Sequence, residues 1–313
     1  MINIRNTTFR QLQVFEAIAN YKSFTLAAEE LHLTQPTLSM QMKKLTAIVG
    51  MPLYNQIGKR IYLTEVGEEL LVACHSVFNS LTDFQMKVED IKGIKKGDLR
   101  LSGVTTAEYF APRILGAFSK KYPGINVALE VTNRQRVLER LENNLDDLYI
   151  VGQTPTGPNI HSTPFLENPL VILAPPSHPL AKQKKIPITA LASENFIMRE
   201  PGCGTLLSMD KLLHDQNFTF KSSMALGSNE AIKQAVIGEL GISLLSIYAL
   251  GHEISTGELV VLDIEGFPIM DQWYLCYPEG KKLSIVAQVF FDYMLNEGRH
   301  LTEGSLSCLP KQG

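Results

Sequence analysis

The first fifty residues place apolar side chains at helical spacing in three segments. The first segment, near residues 8–20, predicts a helix whose core face carries Phe9, Leu12, Phe15 and Ile18. A second, short helix is expected at about residues 25–31, and a tight turn follows at residues 32–34. Thr34 then caps a third helix with Pro36 in its first turn. The apolar residues of that helix fall within one narrow arc: Leu38, Met42, Leu45 and Val49.

The opposite side of the third helix combines small polar, basic and apolar residues, and we call it the DNA-binding face. Its members are Gln35, Pro36, Thr37, Ser39, Met40, Lys43 and Lys44. Small and basic side chains on one face of a helix suit contacts with base edges and phosphates in a major groove. Two amphipathic helices joined by a short turn also occur in all-α domains that do not bind DNA. The helical pattern alone therefore leaves both interpretations open.

A predicted hairpin after Gly50 favours the DNA-binding interpretation. Residues 52–63 read as two short strands around a Gly-Lys-Arg tip, which would place Lys59 and Arg60 near phosphates or a minor groove. Residues 1–64 hold seven Lys and Arg against three Glu, a net charge of +4, whereas the whole chain carries −3. A basic head on an acidic body is typical of a nucleic-acid-binding protein with a separate second function.

Residues 65–92 are predicted to form one long helix, capped by Thr64, with a heptad stripe. The stripe consists of Leu70, Cys74, Val77, Leu81, Phe84, Val88 and Ile91. One helix cannot bury such a stripe alone, so the stripe packs either on its own domain or on a second copy of the chain. We expect dimerisation, because proteins that read DNA as dimers need two heads at a fixed spacing.

From Leu99 onward, strand-like runs alternate with helical ones, which predicts an α/β body with mostly parallel sheets. Helices are expected near residues 107–121, 135–143, 204–215, 229–238 and 284–296. Pro-containing junctions near 164–169 and 267–268 divide the body, residues 93–300, into two lobes. Lobe I comprises about 98–165 and 268–300, lobe II comprises about 166–267, and residues 301–313 form a tail. The fold class is therefore α/β multidomain.

Ligands of open α/β sheets bind beyond the carboxyl ends of strands and near helix N-termini. The residues that the pattern places at such points are Thr105, Thr106, Asn133, Arg134, Arg199, Gly202, Thr205 and Asn229. Hydroxyl and amide groups beside two arginines would suit a small carboxylate or phosphate. Ser, Thr and Asn also cap helices without binding a ligand, so each position taken alone keeps that alternative.

Other classes of protein find little support in the sequence. The motifs of serine hydrolases, zinc peptidases, kinases and nucleotide-binding enzymes are absent, so we predict no catalytic residues and no cofactor. The seven histidines and four cysteines show no metal-ligand spacing, so no metal site is expected. The sequence has no apolar run of about 18 residues and no secretory signal pattern, so we expect a cytoplasmic protein that does not enter membranes.

Several motifs are similar to the winged helix-turn-helix of LysR-type transcriptional regulators. They are Ser23-Phe24-Thr25, Ala27-Ala28, Leu31, Thr34-Gln35-Pro36, Leu38-Ser39, Gln41, Leu45, Gly50, Pro52-Leu53 and Leu63-Thr64. Over its full length the chain most resembles the CbbR/RbcR group, regulators of Calvin-cycle (Rubisco) operons. Stretches that carry this resemblance include TTAEYFAPRILGAFSKKYPGINVALEVTNR at 105–134 and REPGCGT at 199–205. Two residues or stretches depart from the family pattern. Thr46 stands where the family usually has Glu, and Tyr54-Asn55-Gln56 replaces the usual Phe-x-Arg. The second departure moves the expected wing contact to Lys59 and Arg60.

The resemblance implies a winged helix-turn-helix domain at residues 1–64, a linker and dimerisation helix at 65–92, and a two-lobed effector-binding domain like the periplasmic binding proteins at 93–300. It also implies a dimer of dimers that binds promoter DNA, acts on RNA polymerase and responds to a small anionic metabolite. NADPH, ribulose bisphosphate and 2-phosphoglycolate are the effectors that the resemblance suggests. The alternatives are a LysR-type regulator of another metabolic operon, and a small-molecule-binding α/β protein without a DNA role.

Overall fold

The computed structural model describes residues 4–57, 60–91, 96–155, 159–215 and 221–302. The chain divides into two compact units, Met1–Gln85 and Met86–Gly313. The first unit extends beyond the expected domain boundary at residue 64, because the first half of the long helix packs on the head. The two units are described in turn.

The head contains the helices and the hairpin that the sequence predicts. Its three short helices are α1 (Phe9–Tyr21), α2 (Phe24–Glu30) and α3 (Gln35–Val49). Each begins directly after a hydroxyl residue that accepts a hydrogen bond from a first-turn backbone N–H, namely Thr8, Ser23 and Thr34. Strands β1 (Tyr54–Ile57) and β2 (Arg60–Leu63) pair antiparallel to form the wing. Helix α4 (Glu65–Ile91) follows, capped by Thr64.

One apolar core joins the three short helices, the wing and the first half of α4. Its buried residues include Phe15, Leu38, Met42 and Ile61. Phe9 does not belong to it: the side chain is 45% exposed and meets the ring of Phe78 edge-on at 5.1 Å between centroids. The prediction placed Phe9 in the core with Leu12, Phe15 and Ile18, but at about 100° per residue Phe9 lies about 120° around α1 from the buried Phe15 and falls outside the core.

The second unit alternates strands and helices. In chain order it contains β3 (Gly97–Val104), a 3-10 turn (Thr105–Tyr109), α5 (Ala111–Lys121), β4 (Ile125–Thr132), α6 (Arg134–Glu142), β5 (Leu148–Val151), β6 (Ile160–Ala174), β7 (Asn195–Arg199), α7 (Gly204–Asp215), β8 (Lys221–Leu226), α8 (Asn229–Ile237), β9 (Ser243–Ser246), α9 (Gly251–Thr256), β10 (Val260–Val261), β11 (Ile269–Pro278) and α10 (Ile285–Asn296). Four of the five expected helices begin and end within about one residue of their predicted positions. The exception starts later, at Ala111, because a 3-10 turn precedes it.

The sheets of this unit are less parallel than predicted. Parallel pairing holds for β4 with β3, for β3 with β5 and for β7 with β8. Strands β6 and β11 instead run antiparallel to each other over most of their length, and β6 also pairs antiparallel with β9 and β10. The physical reason is that β6 passes from lobe I to lobe II and β11 returns. Strand β6 is also continuous through residue 165, where the sequence suggested a boundary.

Candidate nucleic-acid interface and ligand cleft

The predicted DNA-binding face of α3 is open to solvent. Gln35, Pro36, Ser39, Met40, Lys43 and Lys44 are all exposed, whereas Leu38, Met42, Leu45 and Val49 are buried on the other side of the helix. Thr37 is half-buried, and its hydroxyl lies 2.8 Å from the hydroxyl of Thr34. The side chain of Thr37 therefore serves the helix cap first, and the other six residues are the ones free to meet DNA.

The wing presents a second exposed surface beside the helix-turn-helix. Arg60 is exposed and lies opposite Ile57 across the hairpin, with Tyr62 on the same strand face. Ile57 is 68% exposed and Tyr62 is 46% exposed. Lys59, the other predicted wing contact, lies outside the described residues. A cation with apolar and aromatic neighbours on one hairpin face suits contact with a DNA backbone and groove.

The heptad stripe of α4 divides into two parts. Cys74 is 1% exposed and Leu70 packs against the same head core, so these two residues do not form a surface seam as predicted. The first half of the helix packs against the head core instead. Val77 is 42% exposed, Leu81 is 48% exposed and Phe84 is 65% exposed, while Val88 is half-buried. The side chain of Ile91 is outside the described set.

A small cavity lies between the two lobes of the second unit. It is lined by Val104, Thr105, Thr106, Arg134, Gly152, Asn168, Arg199, Glu200, Cys203, Gly204, Thr205, Ser246 and Trp273. Five of the eight predicted ligand residues are among them: Thr105, Thr106, Arg134, Arg199 and Thr205. The cavity volume is about 30 Å³, which leaves room for a few water molecules. A larger outer groove of about 520 Å³ adjoins it and is lined by Asn133 and Gly202, among others.

Arg199 is the centre of a hydrogen-bond network that joins the lobes. Its Nε and Nη2 donate to the two carboxylate oxygens of Glu200 at 2.7 and 2.8 Å. Its Nη1 donates to Asn229 of lobe II, and its Nη2 reaches the Thr105 hydroxyl of lobe I at 3.3 Å. Burial opposes the charge of Arg199, but the hydrogen bonds to Glu200 together with the charge interactions around the guanidinium outweigh burial and raise its pKa. The positive charge of Arg199 is thus already balanced by the carboxylate of Glu200.

Asn229 supports this network and does not line the cavity. It is 2% exposed, and its amide Nδ2 donates to the Thr106 hydroxyl at 3.2 Å. The amide oxygen is occupied by Arg199. Asn229 therefore joins Arg199 of its own lobe to Thr106 of lobe I, which differs from the direct ligand contact that the sequence suggested.

Arg134 differs from Arg199 in that it lacks a compensating acid. It lies half-buried at the start of α6 and donates from Nη1 to the backbone oxygen of Gln153 at 3.2 Å. No ion pair joins it to a carboxylate within the described ranges. Burial is the main influence on its guanidinium and lowers its pKa. A half-buried cation without an acid beside it attracts an anion from solution.

Asn133 and Gly202 line the outer groove, whereas Thr205 lines the inner cavity. Asn133 is exposed and its side chain accepts a hydrogen bond from the N–H of Arg136 at 2.9 Å, so it caps α6. Gly202 lies in a turn with φ of 82°, a conformation that favours glycine. Thr205 is in the first turn of α7 and reaches the cavity wall. Of these three, Thr205 alone lines the inner cavity.

Several cleft residues were not predicted from the sequence. The hydroxyl of Ser246 donates to the side chain of Asn168 at 2.7 Å, and both residues are buried. Ser246 lies on β9. Asn168 lies on β6 and Trp273 on β11, so the two strands that cross between the lobes form part of the cavity wall. Glu200 follows Arg199 within the REPGCGT stretch, and the charge alternation there was the one available signal for it.

Two further classes of site were searched for. Among the described residues, no cluster of three or more His, Cys, Asp or Glu side chains could hold a metal ion. None of the helices in the described part of the chain is long and apolar enough to cross a membrane.

Comparison with known proteins identifies both units. Residues 9–68 match the bacterial regulatory helix-turn-helix protein, lysR family. Residues 92–299 match the LysR substrate binding domain.

Full-length relatives share this arrangement. The chain is similar to the HTH-type transcriptional activator CmpR of Synechocystis sp., with 51% identity over 291 residues, 93% of this chain and 96% of that protein. It is 44% identical to the RuBisCO operon transcriptional regulator of Acidithiobacillus ferrooxidans over 293 residues, 94% of this chain and 95% of that protein. The solved regulatory domain of Synechocystis PCC6803 CcmR in complex with 2-PG is 50% identical, with a TM-score of 0.62, and the match covers 64% of this chain and 96% of that domain. The chain therefore belongs to the LysR family of DNA-binding transcriptional regulators.

Proposed function

We propose that this regulator binds a small anionic metabolite in the cleft between its lobes and thereby controls genes of carbon fixation, such as a RuBisCO operon. The gene assignment rests on two relatives named RuBisCO operon transcriptional regulators, at 44% and 40% identity over 94% and 95% of this chain. The anionic ligand rests on the cleft itself. Since the relatives are transcriptional regulators and the sequence lacks catalytic motifs, we propose no enzymatic activity.

The observation that carries the proposal is Arg134. Its guanidinium is half-buried beside the cavity and bonds a neutral backbone oxygen instead of a carboxylate. An anion bound there would satisfy a charge that the described part of the fold leaves uncompensated, and charge-assisted hydrogen bonds are among the strong ones. The Thr105, Thr106 and Thr205 hydroxyls on the cavity wall could then hold uncharged oxygens of the ligand.

Among the metabolites that the family resemblance suggested, the cleft favours a small one. An inner cavity of about 30 Å³ must widen for any metabolite, and the widening needed is least for a compact phosphorylated acid. The related CcmR domain, at 50% identity, was solved with 2-PG. We therefore put 2-phosphoglycolate ahead of ribulose bisphosphate and NADPH.

The assembly is part of the proposal. We propose that the chain forms dimers through the exposed second half of the α4 stripe, at Val77, Leu81, Phe84 and Val88, and that two dimers combine on promoter DNA in the cytoplasm. Side chains of this size are rarely left in water in a row along one helix face. A ligand can shift the assembly only if it binds two arrangements of the lobes with different affinity, and RNA polymerase would then respond to the favoured one.

The test is calorimetric titration of the full-length protein with the three metabolites. For 2-phosphoglycolate, Arg134→Gln should weaken binding by about 10- to 150-fold, because hydrogen bonds to a charged group contribute about 1.5–3 kcal/mol. The control is Arg113→Gln, which makes the same change at an exposed position of α5 that does not line the cleft. Unchanged affinity in Arg134→Gln would refute the anion site. Wild-type binding to NADPH alone would refute the choice of ligand.

A further inference from the structure

Glu200 is bound to Arg199 in the way that a ligand acid would be. Two parallel hydrogen bonds of 2.7 and 2.8 Å join its carboxylate to Nε and Nη2 of the arginine. The Arg199 side chain is 4% exposed, whereas the Glu200 side chain is 27% exposed. Carboxylate and phosphate oxygens compete for the same planar fork of a guanidinium. The buried partner is therefore fixed, and the partner that can leave is Glu200.

Glu200 also stands between the two spaces of the cleft. The inner cavity and the outer groove are both lined by Arg134, Glu200 and Cys203. The groove, at about 520 Å³, has ample room for a small metabolite, whereas the cavity, at about 30 Å³, does not. A ligand that enters through the groove meets Arg134 together with the side chains of Glu139, Glu142 and Glu200, and of these acids only Glu200 also lines the inner cavity and holds Arg199. If that carboxylate swings into the groove, Arg199 and the cavity become accessible.

We infer that the Glu200 carboxylate occupies the place of a ligand acid on Arg199, and that an effector with two acidic groups binds by contacting Arg134 with one group and displacing Glu200 from Arg199 with the other. This inference rests on the proposed function of the cleft. It adds the residue that determines which anions bind.

The selectivity follows from the charges. Arg134 and Arg199 carry two positive charges, and Glu200 cancels one of them. An anion with a single acidic group can be neutralised at Arg134 and gains little by removing Glu200. A ligand with a phosphate and a carboxylate a short distance apart replaces the hydrogen bonds that Glu200 gives up and keeps Arg199 paired. Glu200 thus confines single-acid ligands to Arg134 and admits only a two-acid ligand to Arg199, because a buried arginine cannot be left without an acid.

Displacement at this position also reaches the contact between the lobes. The Nη1 of Arg199, which does not bond Glu200, donates to Asn229 of lobe II. Its Nη2, which also bonds Glu200, donates to Thr105 of lobe I. A change of partner on Nε and Nη2 therefore acts on the same guanidinium that bridges the lobes. Binding selectivity and the conformational response would depend on one side chain.

The experiment measures binding of 2-phosphoglycolate and of inorganic phosphate to the full-length protein. Glu200→Gln keeps the shape of the side chain and removes its charge. We expect both probes to bind about tenfold more tightly or better, because a charge-assisted hydrogen-bonded competitor has been removed. Inorganic phosphate has one acidic group, and in wild type Glu200 keeps it from Arg199. The variant makes Arg199 accessible to phosphate as well, so the gain should be larger for phosphate and the affinity difference between the two probes should narrow. The control is Glu265→Gln, an exposed position that lines neither space, and its affinities should match those of wild type.

A second variant keeps the test decisive if Glu200→Gln does not fold. Glu200→Asp retains the charge but is one methylene shorter, so it cannot hold both nitrogens, and a smaller gain in affinity for both probes is expected. Affinities equal to or weaker than wild type in the folded variants would overturn the inference, as would failure of Glu200→Gln to bind either probe. If 2-phosphoglycolate binds wild type and is lost in Arg134→Gln, the proposed function stands even when Glu200 has no effect.

Discussion

Replacement of Lys233 by Met should destabilise the second unit strongly. Lys233 is 3% exposed, and its Nζ lies 2.6 Å from an oxygen of Glu230 and 2.7 Å from an oxygen of Glu253. Met has a similar length and fills the same space without the charge. Glu230 loses little, because its side chain is 57% exposed and water can solvate it. Glu253 is 6% exposed; its Oε1 accepts from Lys233, and its Oε2 has no hydrogen-bond partner among the described residues.

The magnitude therefore comes from one stranded carboxylate. Removing a partner from a buried ion pair costs about 3–5 kcal/mol, which is a large part of the total stability of an ordinary domain. The double variant Lys233→Met/Glu253→Met should recover more than half of the loss, since replacement of a whole buried pair by apolar side chains is often nearly neutral. Lys211→Met, at an exposed position of α7, should change the free energy of unfolding by less than about 0.5 kcal/mol.

Urea unfolding followed by tryptophan fluorescence is a selective assay. The sequence contains one tryptophan, Trp273, which is 1% exposed in the second unit. Burial opposes the charge of Lys233, but hydrogen bonds to Glu230 and Glu253 outweigh it and raise the pKa above 10.5. The ion pair should therefore contribute fully below about pH 10.5 and lose its effect as the pH rises through the folded-state value. A loss under about 1 kcal/mol at neutral pH, or no recovery in the double variant, would refute the reasoning.

Two further predictions concern DNA binding and assembly. Gln35→Ala should weaken binding to cognate DNA by about 1–3 kcal/mol and reduce discrimination between sites, whereas Lys43→Ala should weaken binding to all sequences alike and flatten the slope of the salt dependence by about one unit. Band shifts at several salt concentrations test both variants. Unchanged specific binding in Gln35→Ala would mean that α3 faces DNA differently. Leu81→Asp should abolish dimers in light scattering while the head stays folded, because Leu81 is 48% exposed in the single chain. Cys74→Asp should instead unfold the head, since Cys74 is 1% exposed, and a normal dimer in Leu81→Asp would remove that residue from the interface.

Local signals in the sequence predicted the elements well. Helices α1, α2 and α3 each begin where a hydroxyl residue can accept a first-turn N–H, and the apolar arc of α3 is the buried arc. These features depend on neighbours within four residues, which a sequence displays directly. Partners that come from distant positions were harder to predict. Cys74 was predicted to belong to an intermolecular stripe because it has the same heptad spacing as the exposed residues that follow it. Heptad spacing does not show that the first part of the stripe packs on the head.

The same division separates the cleft residues that were predicted from those that were not. Thr105, Arg134 and Thr205 follow strand ends or open helices, and such positions can be found by alternating strands with helices. Asn168 and Trp273 come from the middle of the crossover strands, and their place in the wall depends on how β6 and β11 pair over most of their length. Strand pairing at that range leaves no periodic trace in either strand.

The residue type at a helix N-terminus did not distinguish the roles that the structure reveals there. Asn133 caps its own helix, Asn229 joins Arg199 to Thr106 of the other lobe, and Arg134 forms no ion pair within the described residues. A capping residue and a bridging residue are already satisfied, so a ligand gains little from either. The uncompensated cation can gain a new partner at no cost to an existing one. Affinity for an anion should therefore come from Arg134, whereas selectivity among anions and the conformational response should both be determined where an existing pair must be exchanged, at Arg199 and Glu200.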